Sequence, residues 1–338
     1  MTGPAWRVPR TEAESVRQEL QAGGWLSGDR EVRRSDEFVL FPLRAVPDPP
    51  PATGTLVEAD LDARTSPPRT YRDLLDLPPR EAELLPRSFD IVGDIVLVRI
   101  PPELRARSEE IGQALLRFVP GARLVARDEG VHGPERRRTL VPLAGEGPFR
   151  TRHRENGLEL EVDVARAYFS PRLGREHARV ARLVAPGETV FDLFCGVGPF
   201  ALTIAREGRA RRIVAVDSNP AAIELLVATA QRARLAAAVT PLVAPVEGFL
   251  PSAGVADRVV MNLPHGGIKY IAQVGTVVAA GGVLHYYEVT ERDDLPGRPA
   301  ALTGLLAGTA RFSVETPRTV HPYSPSSDLV AYTLHREE

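Results

Sequence analysis

Two glycines and an aspartate, Gly196, Gly198 and Asp217, have the types and spacing of a nucleotide-cofactor site. The glycines lie in Phe-Asp-Leu-Phe-Cys-Gly-Val-Gly-Pro-Phe-Ala, between an apolar run and a helical pattern, where a side chain would obstruct a tight turn and a close ligand. Asp217 ends the next apolar run, and a carboxylate there can accept hydrogen bonds from two ribose hydroxyls. The pattern predicts a strand, a glycine turn, a helix and a strand that together cradle an adenosine-containing cofactor.

Two classes of cofactor fit these residues. Gly-x-Gly-x-x-Ala with an acidic residue about 20 positions further on is also a dinucleotide pattern, and the glycines alone fit a plain tight turn. Asp192 and Phe194 extend the pattern to Asp-x-Phe-x-Gly-x-Gly, which resembles the first motif of class I methyltransferases. The extended motif favours S-adenosylmethionine, and a nicotinamide dinucleotide remains the alternative.

Composition limits the class of protein. The chain has 338 residues, of which 43% are hydrophobic and 25% charged, as expected of a soluble globular protein with two or three domains. It has no apolar run of about 18 residues and its first residues lack the core of a signal peptide, so we expect a cytoplasmic protein. The single cysteine, Cys195, excludes a disulfide framework, and no set of side chains has metal-ligand spacing, so we expect no metal.

The arginines are clustered although the net charge is only −2. The clusters are Arg33 with Arg34, residues 64–72, residues 136–138 and residues 150–154. Each cluster fits a solvated face as well as a phosphate contact, but several in the first half of the chain favour RNA as a partner.

The pattern of elements divides the chain into four parts. Residues 165–338 alternate apolar strands with helices, which predicts an α/β domain with a mostly parallel, Rossmann-like sheet. Residues 71–164 predict an α+β RNA-binding domain with one strand over 89–100 and a helix over 103–118. Residues 46–70 are rich in proline and predict a linker, and residues 1–45 predict a small module whose helix is capped by Thr11 and Glu14.

Three further motifs, taken with the glycine turn, resemble one family. They are Tyr168-Phe-Ser-Pro-Arg-Leu-Gly-Arg-Glu176, Asn262-Leu-Pro264 and Gly282-Val-Leu-His-Tyr-Tyr-Glu288. In these motifs and over nearly its full length the chain is similar to the archaeal and eukaryotic tRNA (guanine-N1)-methyltransferases that modify guanosine at tRNA position 37. The resemblance implies a class I S-adenosylmethionine-dependent domain preceded by a small module and an α+β domain, a tRNA substrate and a monomer.

The family's roles can be carried to residues of this chain. Guanine N1 holds a proton at neutral pH, so its methylation requires a base, and the resemblance assigns that role to Glu176. It assigns Arg136 to the charge that develops on O6, and Asn262 with Pro264 to the orientation of the guanine. The implied cofactor residues are Tyr168, Asp192, Phe194, Gly196, Gly198, Asp217 and Asn262, and the implied RNA contacts are Arg136, Arg138 and Arg172.

Some residues depart from the family pattern, and the reaction type stays open at this point. Pro245 stands where relatives place an aspartate that contacts adenine, with Glu247 as a possible substitute, and His177 replaces an arginine that often follows the glutamate. A sister branch transfers the aminocarboxypropyl group of the same cofactor in wybutosine synthesis, whereas Pro199 and Asn262-Leu-Pro264 favour methyl transfer. The glycine turn also fits a nicotinamide-dependent oxidoreductase, or a noncatalytic RNA-binding protein that retains an inactive cofactor cradle.

Overall fold

The computed structural model describes residues 2–63, 68–133 and 137–338. The chain divides into two compact units, Met1–Arg69 and Thr70–Glu338. Within the described ranges, no helix is both long enough and apolar enough to span a membrane.

The first unit is an antiparallel sheet with one helix. Its elements are β1 (Thr2–Pro9), α1 (Ala13–Ala22), β2 (Arg33–Arg34), β3 (Phe38–Pro42) and β4 (Thr55–Asp60), and the strand order is β2-β3-β1-β4. Trp6, Leu20 and Phe41 are in the core that α1 forms with the sheet. The predicted cap of α1 is wrong, because Glu12 occupies the cap position without a side-chain bond and Glu14 pairs with Arg17.

The predicted linker over 46–70 is wrong in its middle part. Strand β4 lies within it and pairs with β1 from Thr55 opposite Arg7 to Asp60 opposite Thr2. The prolines of the segment stand before and after β4 in the sequence and not within it, so they remove no donor from this edge strand. The first unit therefore extends to Arg69 instead of residue 45, while residues 64–67 lie outside the described ranges.

The second unit begins with an α+β part. Its elements are α2 (Pro79–Leu84), β5 (Asp90–Val92), β6 (Ile95–Val98), α3 (Ser108–Phe118), β7 (Leu124–His132), β8 (Arg137–Gly145), β9 (Arg150–Glu155) and β10 (Leu158–Asp163). Strands β5-β6-β7-β8 form one sheet and β9 pairs with β10. The single strand predicted over 89–100 is a hairpin, because the chain reverses at Gly93, whose φ is 58°. The helix predicted over 103–118 is a 3-10 turn, Pro102–Arg107, followed by α3.

The rest of the second unit is the predicted α/β domain. Its elements are α4 (Gly174–Leu183), β11 (Thr189–Leu193), α5 (Pro199–Glu207), β12 (Arg212–Asp217), α6 (Pro220–Arg232), β13 (Val239–Val243), α7 (Val246–Phe249), β14 (Ala256–Met261), α8 (Ile271–Thr276), β15 (Val278–Glu291), α9 (Arg298–Leu306), β16 (Phe312–Val314), β17 (Arg318–Pro322) and β18 (Ser327–Arg336). Strands β11 to β15 are parallel, and β18 joins them antiparallel.

The strand order of this sheet is β13-β12-β11-β14-β15-β18-β16, with β17 paired to β18. Helices α4, α5 and α6 pack on one face around Val180, Ile204 and Leu225, and α8 and α9 pack on the other around Ile271 and Leu302. The order reverses between β11 and β14, and in open α/β sheets ligands bind outside the carboxyl ends of the strands at such a reversal. The fold therefore places the glycine turn after β11 at the expected ligand site.

Helix α5 is bounded by two left-handed glycines that provide a matched pair for mutation. Gly198 has a φ of 78°, and a Cβ there would lie 2.5 Å from Leu226 Cδ1. Gly208 has a φ of 71° but no atom within 4 Å of such a Cβ.

We expect Gly208→Ala to lower the free energy of unfolding by about 1–2 kcal/mol, because a residue with Cβ disfavours this backbone conformation. Gly198→Ala should lower it by a further ~1–3 kcal/mol, because Leu226 must also move. Urea denaturation of the two variants measures the difference. Equal losses would show that Leu226 relaxes freely and that this packing does not constrain the turn.

Candidate active site

A cavity of about 390 Å³ lies at the carboxyl ends of β11, β12 and β14. Of the residues predicted for the site, it is lined by Arg138, Tyr168, Arg172, Phe194, Gly196, Asp217, Asn262 and Pro264. Glu176, Asp192 and Gly198 are outside its lining, and Arg136 lies outside the described residues. A shallower groove of about 860 Å³ over β9 contains the arginines of residues 150–154 and none of the predicted cofactor residues.

The glycine turn is held by Asp217. Its Oδ2 accepts a hydrogen bond from the Gly196 N–H at 2.7 Å, and its Oδ1 accepts one from the Asn219 N–H at 2.8 Å. Asn219 then caps α6 by accepting from the Ala221 N–H at 3.0 Å. Each carboxylate oxygen has more than one acceptor site, so Asp217 can still accept from ribose hydroxyls.

Two observations show that the cavity fits an adenosine-containing cofactor. A Cβ on Gly196 would meet only the Tyr168 carbonyl oxygen, at 3.5 Å, so the turn faces open space in which a ligand can approach the backbone. Asn262 Oδ1 is buried, lines the cavity and has no hydrogen-bond partner among the described residues. A buried acceptor without a donor is unfavourable, and a bound base or nucleoside would supply one.

Phe194 has a backbone conformation that is rare for an aromatic residue. Its φ is 62°, and its ring lies 5.5 Å from that of Tyr270. Such backbone strain persists only where the surrounding structure enforces it, and it is concentrated at ligand sites. The position supports the prediction that Phe194 contacts a ligand, because it also lines the cavity.

Asp192 lies behind the glycine turn and supports it. Its side chain is fully buried, and Oδ2 accepts a hydrogen bond from the Ala201 N–H in the first turn of α5 at 3.0 Å. Burial, with the neighbouring charge of Asp217, raises the pKa of Asp192 to about 8. At neutral pH the group is therefore mostly protonated, and it positions the turn instead of lining the cavity.

Glu176 is also buried, with its side chain 2% exposed, and its carboxylate is fully engaged. Oε1 accepts from the Tyr287 hydroxyl at 2.7 Å and from Arg179 Nη2 at 2.8 Å, and Oε2 pairs with Arg318. Burial raises the pKa of Glu176, but the bonds to Arg179 and Tyr287 and the charge of Arg318 outweigh it, so the pKa lies below its ordinary value. The carboxylate is therefore ionised, but its oxygens already bond Tyr287, Arg179 and Arg318.

The Glu176 carboxylate is nevertheless close to the cavity. Tyr287, which binds it, lies two residues before Val289 on β15, and Val289 lines the cavity. Alternate residues of a strand are about 7 Å apart on the same face. His177, the next residue along α4, also lines the cavity.

The two described arginines predicted to contact RNA have different environments. Arg138 is buried, pairs with Asp128 and lies over the Tyr168 ring at 5.2 Å, so it forms part of the cavity wall instead of an exposed phosphate contact. Arg172 is 47% exposed and binds Asp90 at 2.8 Å. Only Arg172 of this pair can reach an RNA in solution.

Two residues outside the predicted site set have structural roles, and a third lacks the role predicted for it. Burial raises the pKa of the Cys195 thiol well above its ordinary value, which suits a packed residue and not a nucleophile. His285 Nε2 lies 2.8 Å from Arg258 Nη1, and burial lowers the pKa of His285. Glu247 is exposed and lies outside the cavity lining, so its predicted substitution for the adenine contact has no support.

Sequence reasoning missed several residues around the cavity. Tyr287 and Arg318, which hold Glu176, lie 111 and 142 positions from it, and no local pattern relates them. His321 on β17 and Tyr323 in the turn that follows it also line the cavity, and Tyr323 binds His265 at 3.0 Å. Asn219, at a helix start after Asp217, had a readable signal, since Asn-Pro is typical of a helix cap.

Three family profiles cover most of the chain. The TRM5/TYW2 methyltransferase domain matches residues 151–314, the TYW2 N-terminal domain residues 71–148 and the tRNA methyltransferase 5 N-terminal domain residues 6–50. The chain is 35% identical over 332 residues to the tRNA (guanine(37)-N(1))-methyltransferase Trm5b of Pyrococcus abyssi, covering 97% of both chains. It is 28% identical to a tRNA(Phe) (4-demethylwyosine(37)-C(7)) aminocarboxypropyltransferase of Pyrococcus horikoshii, over 66% of this chain and 79% of that protein.

Solved structures of Trm5 proteins also match nearly the whole chain. The complex of aTrm5 and tRNALeu matches with a TM-score of 0.85 and 29% identity, covering 99% of this chain and 100% of that one. Methanocaldococcus jannaschii Trm5 in complex with adenosine matches with a TM-score of 0.68, 29% identity and the same coverage.

The raised pKa of Asp192 predicts a distinctive pH dependence. A carboxyl whose pKa is raised on folding, here from 3.8 to about 8, destabilises the protein increasingly as pH rises through that range. Asp192→Asn should therefore gain stability relative to the unmodified protein between pH 4 and 8.

Asp94→Asn is the control with the opposite sign, because burial raises the pKa of Asp94 but bonds to Arg123 and Thr151 lower it overall. The stability that Asp94→Asn loses at neutral pH should be regained only as pH falls below the ordinary pKa of 3.8, through the lowered pKa of the folded state. Urea denaturation at several pH values measures both, and a pH-independent Asp192 effect would mean that the carboxyl is ionised throughout.

Proposed function

The chain belongs to the Trm5 family of tRNA (guanine(37)-N(1))-methyltransferases, and from this membership we propose that it transfers a methyl group from S-adenosylmethionine to N1 of guanosine 37 in tRNA. The observation that carries the proposal is the cavity at the strand reversal, where the glycine turn, Asp217 and Asn262 meet. Asn262 Oδ1 accepts no hydrogen bond from the residues that the structure describes. The proposed enzyme acts as a monomer in the cytoplasm.

The first unit supports methyl transfer over the aminocarboxypropyl alternative. Residues 6–50 match the Trm5 N-terminal domain, and the Trm5b relative matches 97% of the chain where the aminocarboxypropyltransferase matches 66%. The TYW2 N-terminal domain matches residues 71–148 only. The oxidoreductase alternative has no support in these matches.

The cofactor site is assigned to residues around the glycine turn. Asp217 accepts from the ribose hydroxyls, Gly196 leaves room for the ligand beside the backbone, and Tyr168 and Phe194 supply apolar contact. Gly198 and Asp192 hold the turn from behind. S-adenosylmethionine, when bound, supplies an electrophilic methyl group on a positively charged sulfur.

The residues that face the guanine must orient it and remove a proton. Asn262, held beside Pro264 at the end of β14, offers an amide to the base edge. Glu176 would accept the N1 proton once its carboxylate exchanges partners. N1 could then take the methyl group as the bond between that carbon and the cofactor sulfur breaks, with S-adenosylhomocysteine as the leaving product. Arg136 is assigned to the charge on O6 by the family resemblance, and it lies outside the described residues.

The tRNA contacts are proposed from exposed arginines. Arg172 lies at the rim of the cavity, and Arg33 and Arg34 are exposed on β2 of the first unit. Guanidinium groups bind phosphates without regard to sequence, so these residues position tRNA while the cavity selects the base. Guanosine 37 must be turned out of the anticodon loop to enter the cavity.

Incubation with labelled S-adenosylmethionine and two tRNA transcripts tests the function. We expect 1-methylguanosine with guanosine at position 37 and no product with adenosine there, by nucleoside mass analysis. Glu176→Gln should lower the single-turnover rate by roughly 100-fold or more, because the amide cannot accept the proton. An aminocarboxypropyl product would instead assign the chain to the sister activity, and full activity of Glu176→Gln would exclude this residue as the base.

The contacts of Glu176 predict a shift in the pH profile of methyl transfer. Arg318 helps to hold the pKa of Glu176 low against burial, so Arg318→Gln should raise that pKa. The base must be ionised, and the acidic limb of the single-turnover rate should therefore move to higher pH. Arg292→Gln is the matched control, since Arg292 pairs with Asp328 in the same sheet. A profile unchanged by Arg318→Gln would show that another group titrates.

A further inference from the structure

His177 and Glu155 form a buried pair at the wall of the cavity. His177 is 1% exposed, its Nδ1 lies 2.7 Å from Glu155 Oε1, and its ring packs edge-on against Phe200 at 4.5 Å. An ionised carboxylate only accepts hydrogen bonds, so Nδ1 carries the proton. In the neutral ring Nε2 then presents a lone pair.

The Nε2 atom of His177 has no hydrogen-bond partner among the described residues. It is buried, and no group in the described part of the chain hydrogen-bonds to it, although His177 lines the cavity. A buried acceptor without a donor lowers stability, and such atoms in native proteins are usually completed by water or a ligand. We expect the ligand of this cavity to donate the hydrogen bond that His177 Nε2 accepts.

The charge of the pair indicates what kind of donor fits. Among the described residues, Glu155 is paired only with His177 and with His153, whose Nε2 is 4.0 Å from Oε2. His153 Nδ1 accepts from the Gly93 N–H at 3.2 Å, and burial lowers the pKa of His153, so this ring is neutral. The Glu155 carboxylate faces two imidazoles and, in the described part of the chain, no arginine or lysine, so a cationic donor suits this buried wall.

The position of the pair indicates which end of the cofactor it meets. The glycine turn lies between Asp217 and His177, because Gly196 binds Asp217 and Phe200, which follows the turn, contacts His177. A cofactor whose ribose is held by Asp217 therefore extends its amino-acid end along the turn towards His177. That end bears an ammonium group, which is a cation with three donors.

We propose that His177 Nε2, oriented by Glu155, accepts a hydrogen bond from the α-ammonium group of S-adenosylmethionine. The assignment rests on the proposed cofactor and is independent of the reaction catalysed. It makes the Glu155–His177 pair a determinant of cofactor selectivity, since adenosine compounds without the ammonium group gain nothing from it.

Calorimetric binding of three adenosine thioethers to the full chain tests the proposal. S-adenosylhomocysteine has both the ammonium and the carboxylate, 5′-S-(3-aminopropyl)thioadenosine has only the ammonium, and 5′-methylthioadenosine has neither. His177→Phe keeps an aromatic ring and removes the acceptor. It should weaken the first two ligands roughly 10- to 100-fold, as expected for a buried bond to a charged group, and leave 5′-methylthioadenosine unchanged.

Unchanged binding of 5′-methylthioadenosine also shows that each variant is folded. Glu155→Gln keeps the shape and removes the charge, and should weaken the two ammonium ligands by a smaller factor. His153→Phe, at the other side of Glu155, is the matched control and should leave the ratio of the three affinities unaltered.

Two results would overturn the proposal. His177→Phe could weaken all three ligands equally, which would make His177 a packing residue. It could weaken S-adenosylhomocysteine but not the aminopropyl compound, which would assign the contact to the carboxylate. Failure of the unmodified chain to bind any of the three would instead contradict the cofactor site and with it the proposed function.

Discussion

The site depends on two hydrogen bonds that the Asp217 carboxylate accepts. By accepting from the N–H groups of Gly196 and Asn219, it joins the turn after β11 to the start of α6 after β12. Asn219 in turn donates to the Arg166 carbonyl at 2.7 Å, so the segment that leads to Tyr168 is fixed to the same point. Three segments that are distant in sequence are thus positioned by one carboxylate and the asparagine that follows it, and the cavity exists where they meet.

Charged side chains around the cavity follow a common rule. Two buried charges beside the cavity are paired with opposite charges: Arg138 binds Asp128, and Glu176 binds two arginines. Paired charges make a stiff wall, because moving one would leave the other desolvated without compensation. Two acceptors that lack a donor among the described residues, Asn262 Oδ1 and His177 Nε2, belong to side chains that line the cavity, which is where a ligand can complete them.

The arrangement around Glu176 combines two opposing effects on one carboxylate. Burial alone would raise the pKa of the Glu176 carboxyl and make it a stronger base. Arg179, Tyr287 and Arg318 lower that pKa and keep the carboxylate ionised and hydrogen-bonded. Of these partners, Arg318 is the most exposed, at 43%, and it lies on β17 next to the cavity-lining turn. An RNA phosphate is the natural competitor for an exposed arginine, so substrate binding and activation of the proposed base can be coupled through this residue.

The sequence by itself determined the α/β class, the strands and helices around the glycine turn and eight of the residues that line the cavity. The elements depend on local periodicity and on glycines that allow left-handed backbone. The sequence failed at strand β4, since edge pairing to β1 is a long-range contact that proline content conceals. It also failed on the environments of Asp192, Arg138 and Glu176. Whether a carboxylate is protonated, or an arginine exposed, depends on burial and on partners such as Asp128, Tyr287 and Arg318, which only the tertiary structure brings together.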